Sequence, residues 1–258
     1  MAQHHQLRII ITGASSGIGM ALAQRYAAQG AALGLIARRA PELGRLASRL
    51  GCAATVYALD VRDAGALQHA AADFMSRHGC PDVVIANAGV SAGTLTEHAG
   101  DSAVFQEVMD SNVVGMMKTF QPFVTAMRTA GKGALVGIAS VAGCRGLPGA
   151  AAYSASKAAA ISYLESLRVE MRASGVKVIT ICPGYIATPM TAKNPYPMPF
   201  IMSADDAARK IIAIIRRGKS FAVIPWQMAL VARVLRVMPN WLYDRLFARA
   251  PHKPRRGA

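Results

Sequence analysis

The stretch Thr12-Gly13-Ala14-Ser15-Ser16-Gly17-Ile18-Gly19 decides how this chain folds. It follows a short apolar run (7–12) and opens an Ala-rich stretch (17–29) with helical spacing. Gly13, Gly17 and Gly19 let the backbone turn sharply from strand to helix and let a phosphate approach without meeting a Cβ atom. The first turn of the helix then offers unpaired N–H groups and a partial positive charge. With a strand before it and a helix after it, in the first βα unit, the loop predicts a dinucleotide site; a plain Gly-rich turn is the bland alternative.

Outward from this loop, the same alternation continues. Short β-rich apolar runs fall at 32–37, 55–59, 83–86, 134–140, 176–181 and 221–224, separated by helical stretches at 41–50, 64–78, 102–130, 150–173 and 204–217. The strands show little polar alternation, so the sheet is expected to be parallel and buried on both faces. Right-handed crossovers then give an α/β, doubly wound, Rossmann-type fold with a seven-stranded parallel sheet. Residues 1–225 are read as this domain, including a Pro-rich lid over 185–202, and residues 226–258 as a basic amphipathic helical extension.

Composition agrees with one large α/β domain: 258 residues, 53% hydrophobic and 17% charged, which excludes a disordered chain. Cys52, Cys80, Cys144 and Cys182 are scattered with neither CxxC spacing nor paired histidines. Neither a disulfide framework nor a metal site is expected, and a reducing cytoplasm is the natural compartment. The first residues lack the longer apolar region and cleavage site of a signal peptide, and no uncharged apolar run is long enough to span a membrane. The net charge of +15 is uneven, because residues 203–258 carry 12 Lys and Arg against 3 Asp.

Tyr153 and Lys157 stand at i and i+4 of an expected helix, placing their Cβ atoms about 5–6 Å apart. An ammonium near a phenol favours phenolate, so the pair predicts a lowered phenol pKa and a usable acid/base on an alcohol oxygen. Ser140, at a strand end, can hydrogen-bond the same oxygen.

These residues come with others in a fixed order. The spacing G-x-x-x-G-x-G is followed by Asn87-Ala88-Gly89, Asn112, Ser140, Tyr153-Ser-Ala-Ser-Lys157, Pro183-Gly184 and Thr188. The whole set, over roughly residues 7–224, resembles the short-chain dehydrogenase/reductase family. The resemblance implies an NAD(P)-dependent oxidoreductase acting on CH–OH and C=O groups, with Asn112, Ser140, Tyr153 and Lys157 as the catalytic set. It implies that Asn112 serves a proton relay through water and Lys157, and that Lys157 also holds the nicotinamide ribose. It assigns cofactor contacts to Gly13, Ser15, Ser16, Gly17, Ile18, Gly19, Asp60, Val61, Asn87, Ala88, Gly89, Pro183, Gly184, Ile186 and Thr188, and the substrate wall to 90–100, 141–149 and 185–202.

At the end of the second strand, where a carboxylate would repel a 2′-phosphate, the chain has Ala37 followed by Arg38 and Arg39. Guanidinium groups suit a phosphate, so NADP(H) is expected over NAD(H), with Ser15 adding a hydroxyl. Met190, Met198, Met202, Tyr196 and Phe200 in the lid favour a hydrophobic ketone or alcohol. Trp226–Met238 and 241–250 form the two Arg-bearing segments of the extension, and His252 to Arg256 closes it. Two readings suit this extension equally: a peripheral contact with the inner face of the membrane, or an arm of a homodimer or tetramer. Nucleic acid is the weakest partner, since basic charge alone is no motif. Outside catalysis, the same fold serves as a dinucleotide sensor or a membrane-recruited binding protein.

Overall fold

The computed structural model describes residues 6–255, so the last part of the basic tail, 256–258, lies outside the described residues. Seven strands form one parallel sheet: β1 (Arg8–Thr12), β2 (Ala32–Ala37), β3 (Ala54–Ala58), β4 (Val83–Ala86), β5 (Ala134–Ile138), β6 (Lys177–Pro183) and β9 (Phe221–Ile224), in the order β3-β2-β1-β4-β5-β6-β9. The remaining pair, β7 (Ile186–Ala187) and β8 (Met202–Ser203), forms a small parallel ribbon on its own.

Alternation of side chains across the pleat builds two cores from the same strands. Ile9, Ile11, Leu33, Leu35, Val136 and Ile179 pack against α1 (Gly17–Ala27), α2 (Ala40–Ala47) and α7 (Ala204–Arg217). On the other face, Ile10, Ile36, Val84, Leu135 and Val178 pack with Leu67 and Phe74 of α3 (Ala64–His78), Phe120 and Phe123 of α5 (Gly115–Ala130), and Leu164 of α6 (Ala151–Glu170). The winding reverses between β1 and β4, which opens a crevice at the carboxyl ends of the strands.

One expected element is divided. In place of a single helix over 102–130, α4 (Asp101–Met109) runs through a π-helical turn at Asp110–Val114 into α5. The Gly115 N–H donates to Asp110 O, so the turn takes in one extra residue and re-aims Ser111 and Asn112 inward, where both are buried. A Cβ on Gly115 would lie 2.7 Å from Val61 Cγ2, so the bare backbone lets this helix close on the loop after β3.

The extension forms α8 (Trp226–Val237) and α9 (Asn240–Phe247), the second ending earlier than expected. Its inner face is fixed by Arg145, which donates to Leu235 O and Met238 O at 3.0 Å each and to Asn240 Oδ1 at 2.8 Å. Arg145 also lies 4.4 Å from the centre of the Tyr243 ring, and the Tyr243 hydroxyl donates to Gly146 O. Trp226, Leu230, Val234, Val237, Trp241 and Leu246 remain on the outside, the two tryptophans 70% and 69% exposed.

Candidate active site

The crevice holds a cavity of about 480 Å³, and it is built from both ends of the sequence motifs. At one end the loop after β1 turns through Gly13 at φ +66°. A Cβ on Gly19 would fall 2.3 Å from Gly13 O, so Gly19 does not face the cavity but lets the loop fold over the first turn of α1. Ser16 precedes α1 in extended conformation without a side-chain cap bond, and no acidic residue sits in the first turn. The positive end of the helix is therefore left for the cavity, which Ser15, Ser16, Gly17 and Ile18 line. The loop is held from β4: Asn87 Nδ2 donates to Thr12 O at 2.9 Å, while the Asn87 and Ala88 N–H groups donate to Thr12 Oγ1 at 3.0 Å.

Arg38 and Arg39 both reach this end. Arg39 Nη2 donates to Ser15 Oγ at 2.9 Å, which joins the end of β2 to the glycine-rich loop. Asp60 lines the same region but is engaged by Arg62 at 2.7 Å, with Arg38 farther off at 3.9 Å. The Arg62 hydrogen bond, followed by the charges of both arginines, holds the Asp60 carboxyl below its ordinary pKa against the opposing effect of burial.

At the other end stand Ser140, Tyr153 and Lys157, with Gly89, Pro183, Gly184, Ile186 and Thr188 beside them. Here the expected electrostatics are corrected. Lys157 Nζ donates to Ile138 O at 2.8 Å and lies 5.8 Å from the Tyr153 ring centre. Burial pushes the Tyr153 phenol above its ordinary pKa, and the hydrogen bond shared with Ser140 only partly offsets this. Lys157 spends one of its hydrogens on a carbonyl at the end of β5, and burial favours the protonated form of Tyr153. Burial also lowers Lys157 to about 8.

Asn112 likewise differs from expectation. It is fully buried and does not line the cavity. Its Oδ1 accepts from Val90 N at 2.8 Å, and its Nδ2 donates to Val90 O at 3.0 Å and to Ser156 Oγ at 2.9 Å. Ser156 Oγ in turn donates to Tyr153 O at 2.8 Å. The side chain is thus tied to the loop after β4 and the first turn of α6, both amide hydrogens being used. Ser156 belongs to the Tyr-to-Lys motif, yet nothing in its spacing marks it as the bridge. Thr94, also unmarked, donates its N–H to Gly149 O at 3.1 Å and accepts from Ala152 N through its Oγ1 at 3.1 Å, which seats the amino end of α6.

The lid residues separate. Met190 lines the cavity with Pro189 and Thr191, and Tyr196 packs edge-on to Tyr185 at 6.4 Å. Met202 packs instead on the core of the sheet and Phe200 is half exposed, so these two do not form the apolar wall expected of them.

The end of the tail returns to the loop after β4. The Gly93 N–H donates to Pro254 O at 3.0 Å, and a parallel bridge joins Gly93 to Arg255. Arg255 pairs with Asp101 at 2.9 Å, and Asp101 is only 5% exposed. A Cβ on Gly93 would come 2.1 Å from Lys253 O, and one on Gly149 would come 2.6 Å from His252 Cβ, so both loops admit the tail because they lack side chains there. Lys253 Nζ donates to Ser91 Oγ at 2.7 Å and lies 5.6 Å from the Tyr153 ring centre. A basic tail was the single feature of the sequence that bore on this return.

Among the described residues no cluster of His, Cys, Asp or Glu could hold a metal ion, and no helix is long and apolar enough to cross a membrane. The family model described as short chain dehydrogenase matches residues 8–197. The chain is 38% identical over 247 residues to an uncharacterised oxidoreductase of Myxococcus xanthus, covering 95% of this chain and 97% of that one. A short-chain dehydrogenase structure from Streptomyces avermitilis superposes with a TM-score of 0.80 at 25% identity, covering 95% and 98% of the two chains. An actinorhodin polyketide ketoreductase with NADPH gives 0.78 at 26% identity, covering 87% and 97%. This chain belongs to the short-chain dehydrogenase family. It is an oxidoreductase that uses NAD(H) or NADP(H), which displaces the non-catalytic alternative.

Proposed function

We propose that the chain reduces the carbonyl of an apolar ketone with NADPH, the reverse reaction being oxidation of the alcohol. The observation that carries this is a single cavity with Ser15, Arg38 and Arg39 at one end and Ser140, Tyr153 and Lys157 at the other. The first set fits a 2′-phosphate: the bond from Arg39 to Ser15 aims a guanidinium and a hydroxyl at one point, and no carboxylate at the end of β2 opposes them. The uncapped start of α1 fits the pyrophosphate. The likeness to a ketoreductase structure holding NADPH supports the same choice.

When bound, the reduced nicotinamide supplies the hydride to the carbonyl carbon. Ser140 hydrogen-bonds the carbonyl oxygen, and Tyr153, a neutral phenol, donates its proton to that oxygen as negative charge develops there. Lys157 holds the ribose hydroxyls and the end of β5 together, and Asn112 sets the first turn of α6. Met190, Val90 and Ile186 supply the apolar wall. Tyr153→Phe should abolish NADPH oxidation on a panel of hydrophobic ketones while NADPH affinity stays within about threefold; appreciable residual turnover would overturn the assignment.

Residues 1–225 act in this reading as the catalytic domain. The chain works in the cytoplasm, and the outer face of α8 and α9 meets an anionic membrane surface. The two exposed tryptophans, with exposed Arg233, Arg236, Arg245 and Arg249 against one Asp244, support that partner. Co-sedimentation with anionic but not zwitterionic vesicles tests it, and concentration-dependent self-association without vesicles would transfer this face to a second copy.

A further inference from the structure

The tail does more than close the chain. Its anchors and its cation are different residues. Arg255 is neutralised by Asp101, and the backbone bond from Gly93 to Pro254 fixes the strand direction. Lys253, between these anchors, turns its ammonium toward Ser91 and the ring of Tyr153. Among the described residues no carboxylate pairs with it, and burial lowers it to about 8. A partly buried ammonium with a single neutral acceptor has donors to spare and a desolvation cost left unmatched. Its neighbours are Ser91 and Gly93 in the loop after β4, and the Tyr153 ring that it approaches lines the cavity.

Resting on the carbonyl-reductase reading above, we propose that Lys253 is a specificity-determining residue that binds a carboxylate on the substrate, so that the substrate class is an apolar oxo acid with its acid group a few bonds from the carbonyl. One ammonium beside one hydroxyl suits a monoanion. The guanidinium that a dianionic phosphate would need is already paired with Asp101. The tail thus contributes a recognition group that the rest of the domain does not hold.

The experiment compares, in the full-length enzyme with NADPH, an apolar oxo acid and its methyl ester. Wild type favours the acid. Lys253→Met lowers kcat/KM for the acid by about 30-fold, the worth of a hydrogen bond to a charged group, and leaves the ester within about threefold. The loss lies in KM, and Lys253→Arg restores most of it. Equal loss on acid and ester, or a wild type indifferent to the acid group, overturns the proposal. A gain on both substrates overturns it too, because the tail would then be a plug. If wild type reduces neither ketone, the reductase reading fails in that assay. Calorimetric titration of the enzyme–NADPH complex with the saturated carboxylate then decides: binding lost in Lys253→Met upholds the site, and binding unchanged or absent in wild type refutes it.

Discussion

Replacing Asn112 with Ala separates a positioning role from a place in a proton path. The side chain makes three hydrogen bonds in a fully buried site, two to the backbone of Val90 and one to Ser156. Ala removes all three. The Val90 N–H and carbonyl are left to partial solvent, while Ser156 keeps its bond to Tyr153 O. At roughly 1–3 kcal/mol for a buried polar group that loses its partner, and with water compensating part of Val90, the variant loses about 3 kcal/mol. In a chain of this size about 1 kcal/mol moves Tm by roughly 2–4 °C, which gives a fall of about 6–12 °C. Because Ser156 links Asn112 to the turn carrying Tyr153, kcat should fall with it, by about tenfold. Differential scanning fluorimetry beside NADPH-oxidation kinetics reads both. A kcat loss with Tm unchanged would refute the reasoning and return Asn112 to the relay that the family resemblance implies.

Arg39→Gln should weaken NADPH by about 10–100-fold and NADH by less than threefold in fluorescence titrations, the worth of a charge-assisted bond to phosphate; equal weakening would place the residue outside the 2′-phosphate site. Gly93→Ala puts a methyl group where Lys253 O now lies 2.1 Å away, so the tail is displaced and acid-over-ester preference falls as it does in Lys253→Met, with Tyr153 untouched; unchanged preference would detach selectivity from the tail. Lys253 also predicts a stability slope. Its folded pKa of about 8 lies below the ordinary 10.5, so between these values the unfolded chain binds more protons and the penalty present at neutral pH is relieved as pH rises. Urea titrations at pH 7 and pH 10 should show wild type gaining on Lys253→Met by about 1–2 kcal/mol, after discounting for solvent screening; a gap independent of pH would mean the ammonium is not buried.

The parallel sheet was legible because its signals are local. The glycines after β1 and the β-rich runs each act within a few residues, and the observed strands at 32–37, 83–86 and 221–224 coincide with the runs read from the sequence. What was not legible depends on distant partners. Helical spacing reads as one stretch from 102 to 130, and nothing in it reports the π turn that sets Gly115 against Val61. The i, i+4 spacing of Tyr153 and Lys157 puts them on one face, but the carbonyl that captures the ammonium is Ile138 O at the end of β5. A pairwise rule for a helix surface cannot see a strand end arriving from the other side of the motif.

The tail shows the same limit more strongly. Its bonds span more than 150 residues, from Lys253 to Ser91 and from Arg255 to Asp101. In the sequence these residues read only as the basic end of an amphipathic extension, since nothing near them reports a counterpart. The structure offers several reasons for the return. Pro251 and Pro254 restrict the unfolded tail and so reduce the entropy lost on docking. Arg145 and Tyr243 fix α8 and α9 on the loop after β5, so only a short stretch remains to be ordered. Asp101 is buried and needs a cation, which Arg255 supplies. Among the described residues Lys253 meets one neutral acceptor, Ser91, and no carboxylate. An ammonium brought to the catalytic tyrosine by anchors that do not require it is what a substrate-recognition group should look like, whereas a merely structural tail would present any short side chain to Ser91.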